Sequence, residues 1–66
     1  MVVKIVELIG VSKTGYEDAV RQAVKRAGKT VKNITGVDVI GQSAKVVEGK
    51  VVEFRAHLKI AFVVED

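Results

Sequence analysis

The clearest pattern in the chain is the alternation over residues 51–64. Val52, Phe54, Ala56, Leu58, Ile60, Phe62 and Val64 fall on one face, and Glu53, Arg55, His57 and Lys59 form the middle of the other, flanked by Val51, Ala61 and Val63. A period of two over so many residues predicts a long strand with one continuous apolar face. Residues 2–9, rich in β-branched side chains, predict another strand. There the apolar positions occupy both faces, Val3, Ile5 and Ile9 on one and Val2, Val6 and Leu8 on the other. Such a strand needs cover on its second face as well. Residues 36–47 predict a third, less regular strand with Gly41 as a bulge, and Glu48-Gly49 predicts the hairpin turn into the last strand.

Between the first two strands the period changes. Residues 10–15 read as a loop. Tyr16, Ala19, Val20, Ala23, Val24, Ala27 and Val31 then recur at helical spacing, predicting an amphipathic helix to about position 33. Thr14-Gly15-Tyr16-Glu17 matches a capping box, with Ser12 as a competing cap. Glu17 and Asp18 near the start, and Arg26, Lys29 and Lys32 near the end, complement the helix dipole. The stripe is mostly Ala and Val, so a sheet can approach closely. The expected fold class is therefore α+β, a β-α-β-β unit spanning 1–66 as a single domain.

Lengths turn this fold into an argument about assembly. At about 3.3 Å per residue the last strand spans roughly 45 Å. The helix, at about 1.5 Å per residue, spans under about 30 Å. One thin helix cannot cover that strand, and uncovered apolar strand is an aggregation hazard. A chain of 66 residues is also marginal alone. It contains no Cys and one His, so neither disulfides nor a thiolate or His-rich metal site can brace it. Oligomerisation is the remaining route, and 48% hydrophobic content supplies the material.

Charge and motifs narrow the function. No apolar run approaches the length of a membrane helix and no leader pattern is visible, so the cytoplasm is the expected location and no membrane partner is expected. The net charge of +3 is compatible with anionic ligands without calling for nucleic acid. Arg21, Lys25, Lys29 and Lys32 form a basic helix stripe that reads as a solvated face. Gly28-Lys29-Thr30 echoes a phosphate-binding loop, but Ala23 stands where that motif needs Gly, and the triplet is placed within the helix; Gly28 reads as a close-packing residue instead. No nucleophile–base–orienter constellation is present, so an enzyme is not expected. Arg55 and His57 are candidates for ligand contact, with pairing to neighbours such as Glu53 or Asp38 as the structural reading. Tyr16 reads as a core or interface residue. Glu7, Glu17, Asp18 and Asp38 are the carboxylates available to a cation, without EF-hand spacing.

The residues also resemble those of a known family. Val3-Lys4-Ile5-Val6-Glu7-Leu8-Ile9-Gly10-Val11-Ser12 resembles the opening of dodecins, where Glu-Leu-x-Gly-x-Ser ends the first strand. Ala23-Val24-Lys25-Arg26-Ala27 with Thr30 resembles their helix, and Lys59-Ile60-Ala61-Phe62 their closing strand. This resemblance covers nearly the whole chain. It implies a three-stranded antiparallel sheet in order 1-3-2 partly wrapped around the one helix, and a hollow homododecamer of cubic symmetry that binds flavin (FMN or riboflavin) near two-fold axes and stores rather than transforms it.

Two positions depart from the family pattern. Flavin-binding dodecins carry a Trp at the start of the second strand that stacks on the isoalloxazine; the matching residue here is Gly36, followed by Val37. They carry a Gln in the last strand that bonds the flavin's pyrimidine edge; here it is Arg55. Gly offers no ring, and Arg supplies donors only, although it can stack on a planar ring or clamp an anion. The expected ligand-binding residues are therefore Gly36, Val37, Arg55 and His57. The expected ligand is a small aromatic or anionic molecule, with flavin binding weak or altered. The alternative is a structural or calcium-type dodecin without flavin.

Overall fold

In the computed structural model, which describes residues 1–65, the alternating C-terminal segment is the spine of the molecule. The elements run β1 (Val2–Ser12), α1 (Tyr16–Ala27), β2 (Ile34–Val47) and β3 (Lys50–Val64). The sheet is antiparallel with order β1-β3-β2, as expected from the family resemblance. The expected domain extends to position 66, which lies outside the described residues.

The apolar face of β3 meets the helix. Ala56, Leu58 and Ile60 are fully buried, and Ala19 and Ala23 of α1 join Ala56 and Leu58 in the core, with Leu8 and Val20 packed around it. Tyr16 closes one end, edge-on to Phe54 with ring centroids 5.2 Å apart. Small side chains let the helix ride close to the sheet. At about 1.5 Å per residue its 12 residues span about 18 Å, whereas the molecule is 50 Å long. Much of the sheet therefore lies beyond its own helix.

Several local expectations are corrected. β1 continues through Ser12 instead of yielding to a loop at Gly10. Gly10 is a buried strand residue, and a Cβ there would lie 2.2 Å from the Ala19 carbonyl oxygen. It is this glycine, not Gly28, that permits close helix packing; Gly28 is exposed and would meet only carbonyls of its own turn at 3.4 Å or more. The helix stops at Ala27 rather than near position 33. The Lys29 and Thr30 amides bond back three residues, to Arg26 and Ala27, tightening the chain, and Asn33 at φ 64° turns it into β2. The phosphate-loop echo thus lies just beyond the helix.

The capping box also does not form. Gly15 is the N-cap and offers no side chain, while Glu17 pairs with Arg21. Ser12 organises the turn instead: its Oγ accepts from the Thr14 amide at 3.0 Å and the Gly15 amide at 3.4 Å, and donates to Asp18 Oδ2 at 2.6 Å. Finally, β2 begins at Ile34, two residues early, and the Gly41 irregularity is one of three register shifts against β3. Glu48 (φ 50°) and Gly49 (φ 75°) form the left-handed pair that the predicted two-residue turn requires.

Candidate ligand-binding face

The sheet has one face under the helix and one outer face. Residues opposite one another in antiparallel strands share a face. The β3 residues Glu53, Arg55, His57, Lys59 and Ala61 alternate with the buried ones, so they and their partners define the outer face. Three successive rows cross it: Val11–Arg55–Ser43, Ile9–His57–Gly41 and Glu7–Lys59–Asp38. The β1 margin is apolar, with Val3, Ile5, Ile9 and Val11 between 43% and 56% exposed.

Arg55 and His57 are both held by neighbours. An Nη of Arg55 donates to Glu53 Oε2 at 3.3 Å, and the Arg55 Nε is shielded from solvent with no partner. His57 Nε2 lies 2.8 Å from Ser43 Oγ. The pairing reading of both residues is thus realised, with Glu53 rather than Asp38 as the partner of Arg55; Asp38 lies opposite Lys59. The group Ser43, Arg55 and His57 offers a hydroxyl, a guanidinium and an imidazole on one open surface.

Ser43 is the member that residue counting misses. Unbroken alternation from Gly36 would place it under the sheet. The register shift between Val39 and Gly41 moves Gly41 and Ser43 to the outer face. The expected bulge at Gly41 was the signal that could have found it.

Gly36 and Val37 are not part of this group within one copy. Gly36 lies opposite Ala61, six strand positions or about 20 Å from Arg55. Val37 lies opposite Ile60, so its side chain is on the helix side. The aromatic rings do not serve this face either: Tyr16 and Phe54 pack on each other, and Phe62 alternates with Ala61 onto the helix side. The residues on the outer face of a single copy therefore do not fit a ring-stacked flavin. Carboxylates do not converge into a metal cage: among the described residues no three His, Asp or Glu side chains gather in one place.

Two groups in the first turns of α1 depart from their ordinary acidity. Asp18 is held below the usual carboxylate range, first by the Ser12 hydroxyl and then by the Gln22 amide. Arg21 is raised by its hydrogen bond and ion pair with Glu17.

A short helix half-wrapped by a three-stranded sheet, with polar donors on an open face and a surplus of exposed apolar strand, defines a class of small β-α-β-β proteins. The chain belongs to the dodecin family, whose sequence profile matches residues 2–65. It is 34% identical over 65 residues to the dodecin of Thermus thermophilus, covering 98% of this chain and 94% of that one. It is also 34% identical over 61 residues to the calcium dodecin of Mycobacterium tuberculosis, covering 92% and 86%. The solved dodecin of Streptomyces coelicolor superposes with a TM-score of 0.95 at 29% identity, covering 98% and 93%.

Proposed function

We propose that this protein is the subunit of a closed homododecameric shell that sequesters a small aromatic or anionic ligand and catalyses no reaction. The observation that carries this reading is the imbalance between core and surface. Among the described residues, Leu58 and Ile60 are the only large side chains fully buried, while thirteen Val and Ile side chains are 38% exposed or more. Scattered exposed valines are ordinary. Here they continue along both faces and both ends of one sheet, an arrangement that stays in solution only under cover by other copies. Dodecin membership supports twelve copies as the way that cover is arranged, in the cytoplasm and without nucleic acid or membrane as partner.

Gly36, Val37, Arg55 and His57 remain the proposed ligand residues, with Ser43 added by geometry. Because Gly36 and Arg55 are about 20 Å apart in one chain, a shared pocket takes them from different copies. Flavin binding is weak or altered, since Gly36 supplies no ring to stack on and stacking is worth about 1–3 kcal/mol per ring by analogy with bases.

Native mass spectrometry and flavin titration test this reading together. The expected particle has about 85 kDa, twelve times the 7.1 kDa chain. Riboflavin fluorescence at tens of micromolar flavin should be quenched little, and Gly36→Trp combined with Arg55→Gln should restore quenching. A folded monomer at micromolar concentration would end the proposal.

The calcium dodecin relative favours a second reading, an ion-binding shell. With no cage in one copy, calcium would have to be held by carboxylates of several copies, for which Glu7 and Asp38 on the outer face are placed. Saturable calorimetric heat with calcium, lost in Glu7→Gln or Asp38→Asn, would select it over the first.

A further inference from the structure

Two features that the ligand face does not use meet at Arg26, in the last turn of α1. The first is an open groove of about 470 Å³ between α1 and β1. Its floor is made of thin apolar side chains, chiefly Val6, Leu8, Ala23 and Ala27, and it continues to Val31. Ala23 and Ala27 are buried, whereas Gln22, Arg26 and Thr30 are exposed and form its polar margin. That volume is within the range of small-molecule sites, and a few polar groups around an apolar floor is their usual composition.

The second feature is charge. Lys25, Arg26, Lys29 and Lys32 place four cations in eight residues, and no acid occurs between Asp18 and Asp38. Since the whole chain carries +3, everything outside this segment sums to −1. The helix dipole accounts for Lys25 and Arg26 in the last turn, but Lys29 and Lys32 follow the helix. Among the described residues none of the four has an ion-pair partner; the ion pairs formed are Arg21–Glu17 and Arg55–Glu53. The carbonyl end of α1 opposes an anion with about half an elementary charge, which four cations outweigh.

We propose that this groove binds a small amphipathic anion: an unbranched alkyl chain lying on Val6, Leu8, Ala23 and Ala27, its phosphate or carboxylate head held by Arg26. Thr30 adds a neutral donor on the same margin, and Lys25 and Lys29 add field, while the Gln22 amide stays bonded to Asp18. The thin floor suits an alkyl chain, and charge complementarity selects an anion over a neutral lipid or a second copy of the chain. The groove borders the outer face at Ile9 and Val11, but its floor and Arg26 lie on the helix side and it shares none of Ser43, Arg55 and His57 with the ligand face.

The test uses the intact purified particle and isothermal titration calorimetry with octyl phosphate and octanoate below their micelle concentrations, against octanol and inorganic phosphate. Both amphiphiles should bind saturably, one per chain, and the stronger of the two identifies the preferred head. Octanol and inorganic phosphate should each bind at least about tenfold more weakly, the loss expected for one charge-assisted contact or for the apolar floor. Arg26→Gln, an exposed change, should weaken both amphiphiles by about tenfold or more without altering particle mass or circular dichroism. Ala27→Leu should fill the groove and abolish binding; if it fails to fold, Arg26→Gln decides alone. Absence of saturable heat with either amphiphile, octanol binding as well as octyl phosphate, or unchanged binding in Arg26→Gln would overturn the proposal. So would a smaller particle in Arg26→Gln, which would show the groove to be a contact between copies.

Discussion

β1 and β2 flank the same central strand yet meet the demands of an edge position differently. β1 pairs with β3 through eleven residues in unbroken register, its inner side lies beneath α1, and Gly10 seats it against the helix backbone. β2 has 14 residues and three register shifts, and the helix hardly reaches it: Val37 and Val39, on its helix side, are 41% and 44% exposed. A bulged edge resists indiscriminate pairing, while its bare valines invite specific cover. One twelve-residue helix thus organises one half of the sheet and leaves the other half bare.

The sharpest way to break this comparison is to lift the helix off β1. Gly10→Val drives a branched side chain into the Ala19 carbonyl, where only backbone movement can make room. It should cost about 3 kcal/mol or more, enough to unfold a marginal subunit, as read from denaturant melts at fixed protein concentration. Gly36→Ala, on the half without a helix, is the matched control. Its Cβ would come no closer than 4.0 Å to the Ala61 methyl, and the change should stay within about 0.5 kcal/mol. Equal melts for the two variants would remove the claimed asymmetry.

The other half is tested by charge. Val37→Asp with Val39→Asp places two carboxylates on the bare inner side of β2, where the helix makes little contact. Secondary structure by circular dichroism should persist, while native mass spectrometry should show the particle broken to smaller species. Burying two unpaired carboxylates between copies costs several kcal/mol per contact, far more than leaving them in water on a free subunit. Retention of a full-size particle would mean that this face is not covered.

A smaller effect is expected at the turn that delivers β1 to the helix. Ser12→Ala removes a hydroxyl that accepts from two amides and donates to Asp18. The expected loss is about 1–2 kcal/mol, the range for a lost capping group. The pH dependence sharpens it. Asp18 is lowered from its ordinary value of 3.8, so its contribution is complete above that value and fades as pH falls through the lower folded value. In Ser12→Ala the carboxyl loses its principal stabilising bond, so the acid-side decline should become shallower. Melts of both proteins from pH 6 down through the carboxylate range, at one concentration, check the sign.

How far the sequence revealed this asymmetry follows from the kind of signal each part carries. The order and type of the elements and the buried face of β3 are legible, because period two and period 3.6 are properties of side chains alone; the strand order came with the resemblance. The apolar β1 positions already indicated cover on two sides. The end of β1 was not legible, since Gly10 looks like punctuation until the helix is laid across it. The cap was misread because Thr14 and Ser12 both fit a local rule, and only the path of the turn decides between them. Ser43 was hidden by the Gly41 bulge, which reverses the parity of every later residue in β2. Gly36, Val37 and Arg55 are grouped through resemblance and His57 through its place beside Arg55, yet the four lie on two faces and at two ends of a single copy. A pocket shared among them is a property of an assembly, which no local pattern encodes.

The smallest expected effect tests whether α1 acts only through its inward side. Arg21 bonds Glu17 through Nε at 3.3 Å and Nη2 at 2.8 Å, one helical turn apart. The pair has the best geometry of any ion pair on the helix, but its side chains are 75% and 81% exposed. Water and salt screen such a pair, and comparable helix pairs contribute about 0.3–0.5 kcal/mol. Arg21→Ala should therefore lower stability by no more than about 0.5 kcal/mol, partly offset by the better helix propensity of Ala. The difference should shrink further in 0.5 M salt, where the Debye length falls to about 4 Å. A loss comparable to that of Ser12→Ala, unaffected by salt, would mean that Arg21 meets another copy. The outward side of the helix would then belong to the assembly as much as the valines of β2 do.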